Sequence, residues 1–247
     1  MSSDDSVLRD YEEEFWPPYL GFPDVVDHVN FAGFFQAWVK LTLVDIPYQS
    51  SHMKDMGVTA FGLVLEHHAS IFELMKSGSS GSAAALSRPL FETFARGLWL
   101  IKIDDQQKLK NFEEGRDTRD PERLIRDCID ADGGEDYADL LNSWLLSKNT
   151  LHSFVHSKFE AIFRRSNHYQ PKAEELVSML RFSTGVAVNA VLELLEFLKS
   201  NLLREEAEDQ NDQQRISAAE EQAWFFQKKL VLSEKVGTQV LRIKVTD

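Results

Sequence analysis

Cysteine is nearly missing: the 247-residue chain has one, Cys128. A single thiol excludes an internal disulfide framework and a Cys-rich zinc site, and it fits a reducing compartment. Basic side chains are in short supply, 27 against 40 acidic ones, for a net charge of −13. A field of that sign repels phosphate backbones, so RNA or DNA binding over the whole surface is disfavoured. Long apolar runs are also lacking. The nearest approach, residues 31–46, is interrupted by Gln36 and Lys40, so no membrane insertion is expected. Residues 1–11 are acidic and have no basic stretch followed by an apolar one, which argues against a secretory leader and for a cytoplasmic location.

Glycine and proline gather at a few points: Pro17-Pro18, Gly21 to Pro23, Pro47, Gly78 to Gly81, Gly133-Gly134 and Pro171. Between them the apolar spacing is helical. Helices are expected at roughly 24–45, 53–77, 82–103, 105–116, 120–131, 135–158, 171–202 and 206–229. Ser82 and Asp120-Pro121-Glu122 read as helix starts, and Gly78 and Gly133 as stops. The expected class is all-α, a multi-helix bundle with a central buried helix. An N-terminal segment at 1–22 precedes a bundle at 23–203, and 204–247 forms an acidic helix and tail packed on it. Trp224, Phe225 and Phe226 are expected to dock that last helix. Residues 240–245 alternate apolar and basic, which suggests a short C-terminal strand.

The helix near 82–103 is apolar nearly all round, with Leu90, Phe94, Leu98 and Ile101 on one side, the pattern of a buried helix. Its opposite side nevertheless carries Arg88, Glu92, Arg96 and Trp99, bordered by Ala85 and Ile103. Charges on a buried helix lose hydration and must be paired, and the i, i+4, i+8 spacing lets Glu92 serve both arginines. This stripe is either a structural ion network or a surface that binds an anion. Pro89 either kinks the helix or sits in its first turn.

His152 and His156 stand four apart, a spacing that allows an acid–base pair or two metal ligands. His67 shares an apolar stripe with Ala60, Val64, Ile71 and Leu74, while His68 faces Phe72 and Met75. Both read more readily as core residues than as ligands. No resident metal or other cofactor is expected; His67, His152 and His156 are the histidines from which a site would be built, together with Glu92. Such a set lacks the Glu-x-x-His pairs of carboxylate metal bundles, and the flanking arginines oppose a cation. A nucleophile elbow, a phosphate loop and a Rossmann fingerprint are all missing. Lys158, Arg164 and Arg165 form the one concentrated basic stretch.

The run Gly81-Ser82-Ala83-Ala84-Ala85-Leu86-Ser87-Arg88-Pro89-Leu90-Phe91-Glu92, continued by Arg96-Gly97-Leu98-Trp99, and the run Leu151-His152-Ser153-Phe154-Val155-His156 together resemble an uncharacterised bacterial family of all-helical proteins. The likeness runs from the His67 helix to about residue 200. It implies a helical fold and a site at these motifs, and carries no activity with it. More distantly the pattern resembles HEPN-type bundles, many of them RNases of toxin or phage-defence systems. Their arginine followed by histidine after four to six residues does not occur here.

Three functions follow as expectations. The first is binding of a partner protein or small anionic ligand through Arg88, Glu92, Arg96, Trp99, His152 and His156. The second is HEPN-like RNA cleavage, with His152, His156 or Glu92 as acid or base. The third is a metal-dependent bundle enzyme. Pairing of two copies, or a protein partner, is expected in each case.

Overall fold

The computed structural model describes residues 23–42, 48, 51–103, 105–117, 119–132, 137–155, 172–202 and 209–236. Eight helices account for nearly all of them: α1 (Pro23–Thr42), α2 (His52–Lys76), α3 (Ser80–Lys102), α4 (Gln106–Glu113), α5 (Pro121–Asp132), α6 (Ala138–Val155), α7 (Ala173–Asn201) and α8 (Asp209–Val236). The fold is an all-α bundle. Its sole β-type pairing among the described residues is an isolated antiparallel bridge between Tyr48 and Leu202. The expected strand at 240–245 lies outside the described residues, as do the 1–22 segment and the Gly133 stop.

Local chemistry sets the helix ends. Ser51 accepts a hydrogen bond from the Lys54 amide at 3.4 Å, and Asp105 accepts from Gln107 and Lys108 at 3.0 Å, so the first orphan amides of α2 and α4 are served. Asp120 does the same for Arg123 at 2.9 Å, ahead of Pro121 in the first helical position of α5. The end of α2 closes on Gly78 at φ 76°, with the Ser79 amide reaching the Leu74 carbonyl at 2.8 Å and the Gly78 amide reaching Met75 at 3.1 Å. That left-handed closure needs a residue without Cβ.

Helix α3 is central and packs against α2, α5, α6 and α7. It begins at Ser80 with Ser79 in the capping position, ahead of the expected Ser82, and passes through Pro89 without ending. Proline is therefore internal, and the first-turn alternative is set aside. Leu90, Phe91, Phe94 and Leu98 are completely buried. Burying each such side chain contributes about 1.5–3 kcal/mol. Phe91 stacks on Trp144 of α6 with ring centroids 4.5 Å apart and planes 5° from parallel. Helices α2 and α3 meet backbone to backbone: a methyl on Gly57 would lie 2.6 Å from Ile101 Cγ1, and one on Gly97 2.9 Å from the Phe61 ring.

On α7 Ala187, Val191, Leu194, Leu195 and Leu198 are buried, and so is Glu193, while Leu202 just beyond is partly buried. On α8 the docking expectation needs correction. Phe226 is fully buried, whereas Trp224 and Phe225 are about half exposed, because three consecutive positions span roughly 200° of a helix and cannot all face one core.

Candidate functional site

Arg88 lies on α3, partly buried, between the buried Ser87 and the partly buried Pro89. Its Nε donates to Glu92 Oε1 at 2.7 Å, the i, i+4 pairing that helix geometry favours. Its Nη1 donates to Nδ1 of His152, four turns along α6. Arg88 and Glu92 side chains keep 25% and 29% of their exposure, so the trio sits at the edge of the core, within reach of solvent.

Sequence spacing placed Arg96 on the same carboxylate. In the fold its electrostatic partner is Asp117, on the loop before α5, whose pKa the hydrogen bonds from Arg119 lower first and the Arg96 charge lowers further. Arg119 bonds Asp117 through its Nε at 2.9 Å and Asp127 through Nη1 at 2.6 Å, and its guanidinium lies 4.4 Å from the Trp99 ring centre. Those carboxylates raise the pKa of Arg119 above its already high ordinary value. Trp99 itself is buried, 1% exposed, and its Nε1 has no acceptor among the described residues. An unpaired buried N–H costs about 1–3 kcal/mol.

Helix α5 joins the two halves. Glu122 takes Arg126 at 3.0 Å and Lys148 of α6 at 3.2 Å, and Lys148 lies one turn before His152. Both hydrogen bonds hold the Glu122 carboxyl below its ordinary pKa. Arg123 reaches Asp127 at 3.1 Å. Arg88, Arg119, Arg123, Arg126 and Lys148 are thus each paired with a carboxylate among Glu92, Asp117, Glu122 and Asp127, and Arg96 acts on Asp117.

Of the sequence-derived candidates, Arg88, Glu92 and His152 come together, while Arg96 and Trp99 join the adjoining Asp117–Arg119 group. His156, Lys158, Arg164 and Arg165 lie outside the described residues. His67 is half-buried on α2, and burial lowers its pKa against an opposing effect of Glu66. The core histidine is its neighbour. His68 is 1% exposed and accepts at Nδ1 from Gln36 Nε2 of α1. Its Nε2 donates to Thr184 Oγ1 of α7 at 3.0 Å, and burial drives its pKa to about 3. Among the described residues no group of three or more His, Cys, Asp or Glu could hold a metal ion.

Asp117, Arg119 and Asp127 escaped the sequence reading because their convergence depends on a loop, not on helical spacing. A second ionic group was missed likewise. Lys102, at the end of α3, lies 3.2 Å from Glu193 and from Glu196 of α7, and Tyr137 donates to Glu193 at 2.5 Å. Burial raises the Glu193 pKa against the pull of Tyr137 and Lys102, and on Lys102 the two glutamates outweigh a burial that alone would lower it.

The model of a family described as a family of unknown function (DUF6988) matches residues 61–214, a span that takes in α3, α4, α5, α6 and α7. No curated protein and no solved structure matches the chain.

Proposed function

The chain belongs to this family of unknown function, which lends no chemistry, and from its own residues we propose that it is a binding protein for a small anionic ligand, held at the α3–α5–α6 face. The observation that carries the reading is the Arg88 guanidinium, a quarter exposed, joined to Glu92 on its own helix and to His152 of α6. Guanidinium groups present planar forks that match phosphate or carboxylate oxygens. An anion reaching Arg88 exchanges with Glu92. The orphan Trp99 Nε1 supports a polar guest on the Arg96 side.

Titration with inorganic phosphate and small phosphorylated or carboxylated compounds, followed by calorimetry at constant ionic strength, tests this. Arg88→Ala is expected to weaken saturable binding at least tenfold. Binding unchanged in Arg88→Ala and Arg96→Ala would exclude the face, and an absence of saturable binding across the set would exclude the class.

One observation favours a second reading. An imidazole touching a guanidinium is the pairing that HEPN-like RNA cleavage employs, the histidine moving a proton and the arginine steadying phosphate. Purified protein incubated with single-stranded RNA in chelator would then yield fragments, and His152→Ala would not. Intact RNA after prolonged incubation rejects it.

A further inference from the structure

Three buried polar side-chain atoms have no hydrogen-bond partner among the described residues: Trp99 Nε1, Glu193 Oε2 and Gln227 Oε1. Glu193 is compensated, its Oε2 lying 3.2 Å from Lys102 Nζ, and Gln227 is only partly buried. Trp99 differs from both. It is 1% exposed, and an indole N–H can only donate. Its ring is held against the Arg119 guanidinium, 4.4 Å from the ring centre, and against Phe112, 6.4 Å between centroids. A donor fixed and enclosed in this way calls for an acceptor that is neither backbone nor side chain.

One turn earlier on α3 stands a second donor in the same condition. Arg96 is partly buried and makes no hydrogen bond or ion pair among the described residues, whereas Arg88, Arg119, Arg123 and Arg126 each hold a carboxylate. The Arg96 charge acts on Asp117, yet both oxygens of Asp117 already accept from Arg119. Arg96 and Trp99 therefore adjoin one Asp117–Arg119 pair, the first through Asp117 and the second through Arg119, and neither obtains an acceptor from it. A water molecule would serve the indole but leave a half-buried guanidinium without counter-charge. An oxyanion serves both, since its several oxygens match the guanidinium fork with one to spare. We propose that Arg96 and Trp99 form an oxyanion subsite for a phosphate or carboxylate group, Trp99 Nε1 donating to one oxygen and Arg96 to the others. The subsite rests on the anion-binding reading of this face and lies about 12 Å of helix beyond Arg88.

Nuclear magnetic resonance of the full chain with isotopically labelled tryptophan tests it, because each of the five tryptophans gives one indole N–H signal. Trp99→Phe identifies the signal of Trp99, and backbone-linked assignment does so if that variant fails to fold. Inorganic phosphate and, separately, acetate are titrated against sodium chloride at equal ionic strength. The Trp99 indole proton is expected to move downfield and saturate with at least one of the two, and the stronger of them names the group. Arg96→Gln, with helical circular dichroism unchanged, should weaken that response at least tenfold, Arg96→Lys should restore part of it, and Arg88→Ala should leave it within twofold. An indole signal that neither ion moves, or one that moves equally in Arg96→Gln, overturns the subsite. Calorimetric binding of phosphate that is lost in Arg88→Ala while the indole stays still overturns the subsite alone. Indole movement beside heats indifferent to Arg88→Ala overturns the Arg88 contact and upholds the subsite.

Discussion

Arg88 and His152, 64 residues apart in sequence, are in hydrogen-bond contact, and the contact joins the two motifs that the amino-acid sequence singles out. Because Arg88 also holds Glu92, the three side chains act as one unit. A double-mutant cycle on Arg88→Ala and His152→Ala should return a coupling of about 1 kcal/mol in chemical unfolding, as hydrogen-bonded neighbours do. Strict additivity would mean that the two groups are independent in solution.

Acid should weaken the fold through His68. Its folded pKa of about 3 lies below the ordinary 6.5, so the unfolded chain takes up the proton first. Stability from this group is whole above pH 6.5 and is lost as pH falls from there towards 3, by up to about 1.4 kcal/mol per pH unit. Urea melts at pH 7, 5.5 and 4.5 measure it. His68→Gln should be less stable at pH 7 and should show a shallower decline over that range; equal slopes would remove His68 as the cause.

Arg119→Ala leaves Asp117 and Asp127 without their shared guanidinium and uncovers one face of Trp99. A loss of about 1–3 kcal/mol is expected at neutral pH, since Asp117 loses its hydrogen bonds and Asp127 keeps only Arg123. Asp117 has a lowered pKa, so its contribution is present above the ordinary carboxylate value and fades as pH drops through the folded one. The gap between variant and parent should therefore narrow as pH falls below the ordinary carboxylate range. A gap independent of pH would place the effect in packing on Trp99.

Two glycines on α2 should respond in opposite senses. Gly57→Ala drives a methyl against Ile101 and the Gly97 carbonyl, with a net loss of about 1–2 kcal/mol. Gly62→Ala meets nothing within 4 Å on the same helix and should gain about 1 kcal/mol. Thermal melts of the pair suffice, and a matching sign would contradict the close α2–α3 approach.

The eight helices and the centrality of α3 were legible in the sequence because both follow from periodicity: glycine and proline punctuate the segments, and a helix apolar on all sides has to be enclosed. The Arg88–Glu92 pair was legible for the same reason, being one turn apart. Other features turn on choices that spacing leaves open. His67 and His68 differ by 100° on a helix with apolar neighbours either way, and only the positions of Gln36 and Thr184 decide which is interior. Of three successive aromatics on α8, the one that docks is selected by α1. Arg96 was assigned to Glu92 on spacing, yet the loop that carries Asp117 and Arg119 folds back to it, and no helical rule reaches across a loop.

Packing against four other helices has a kinetic corollary for α3. A helix held by four neighbours opens late, so the amide protons of its buried stretch from Leu90 to Ile101 should be among the slowest to exchange with deuterium. The guanidiniums it displays are thereby aimed by the most persistent element of the protein, and an anion captured there would register as slower exchange across every helix at once.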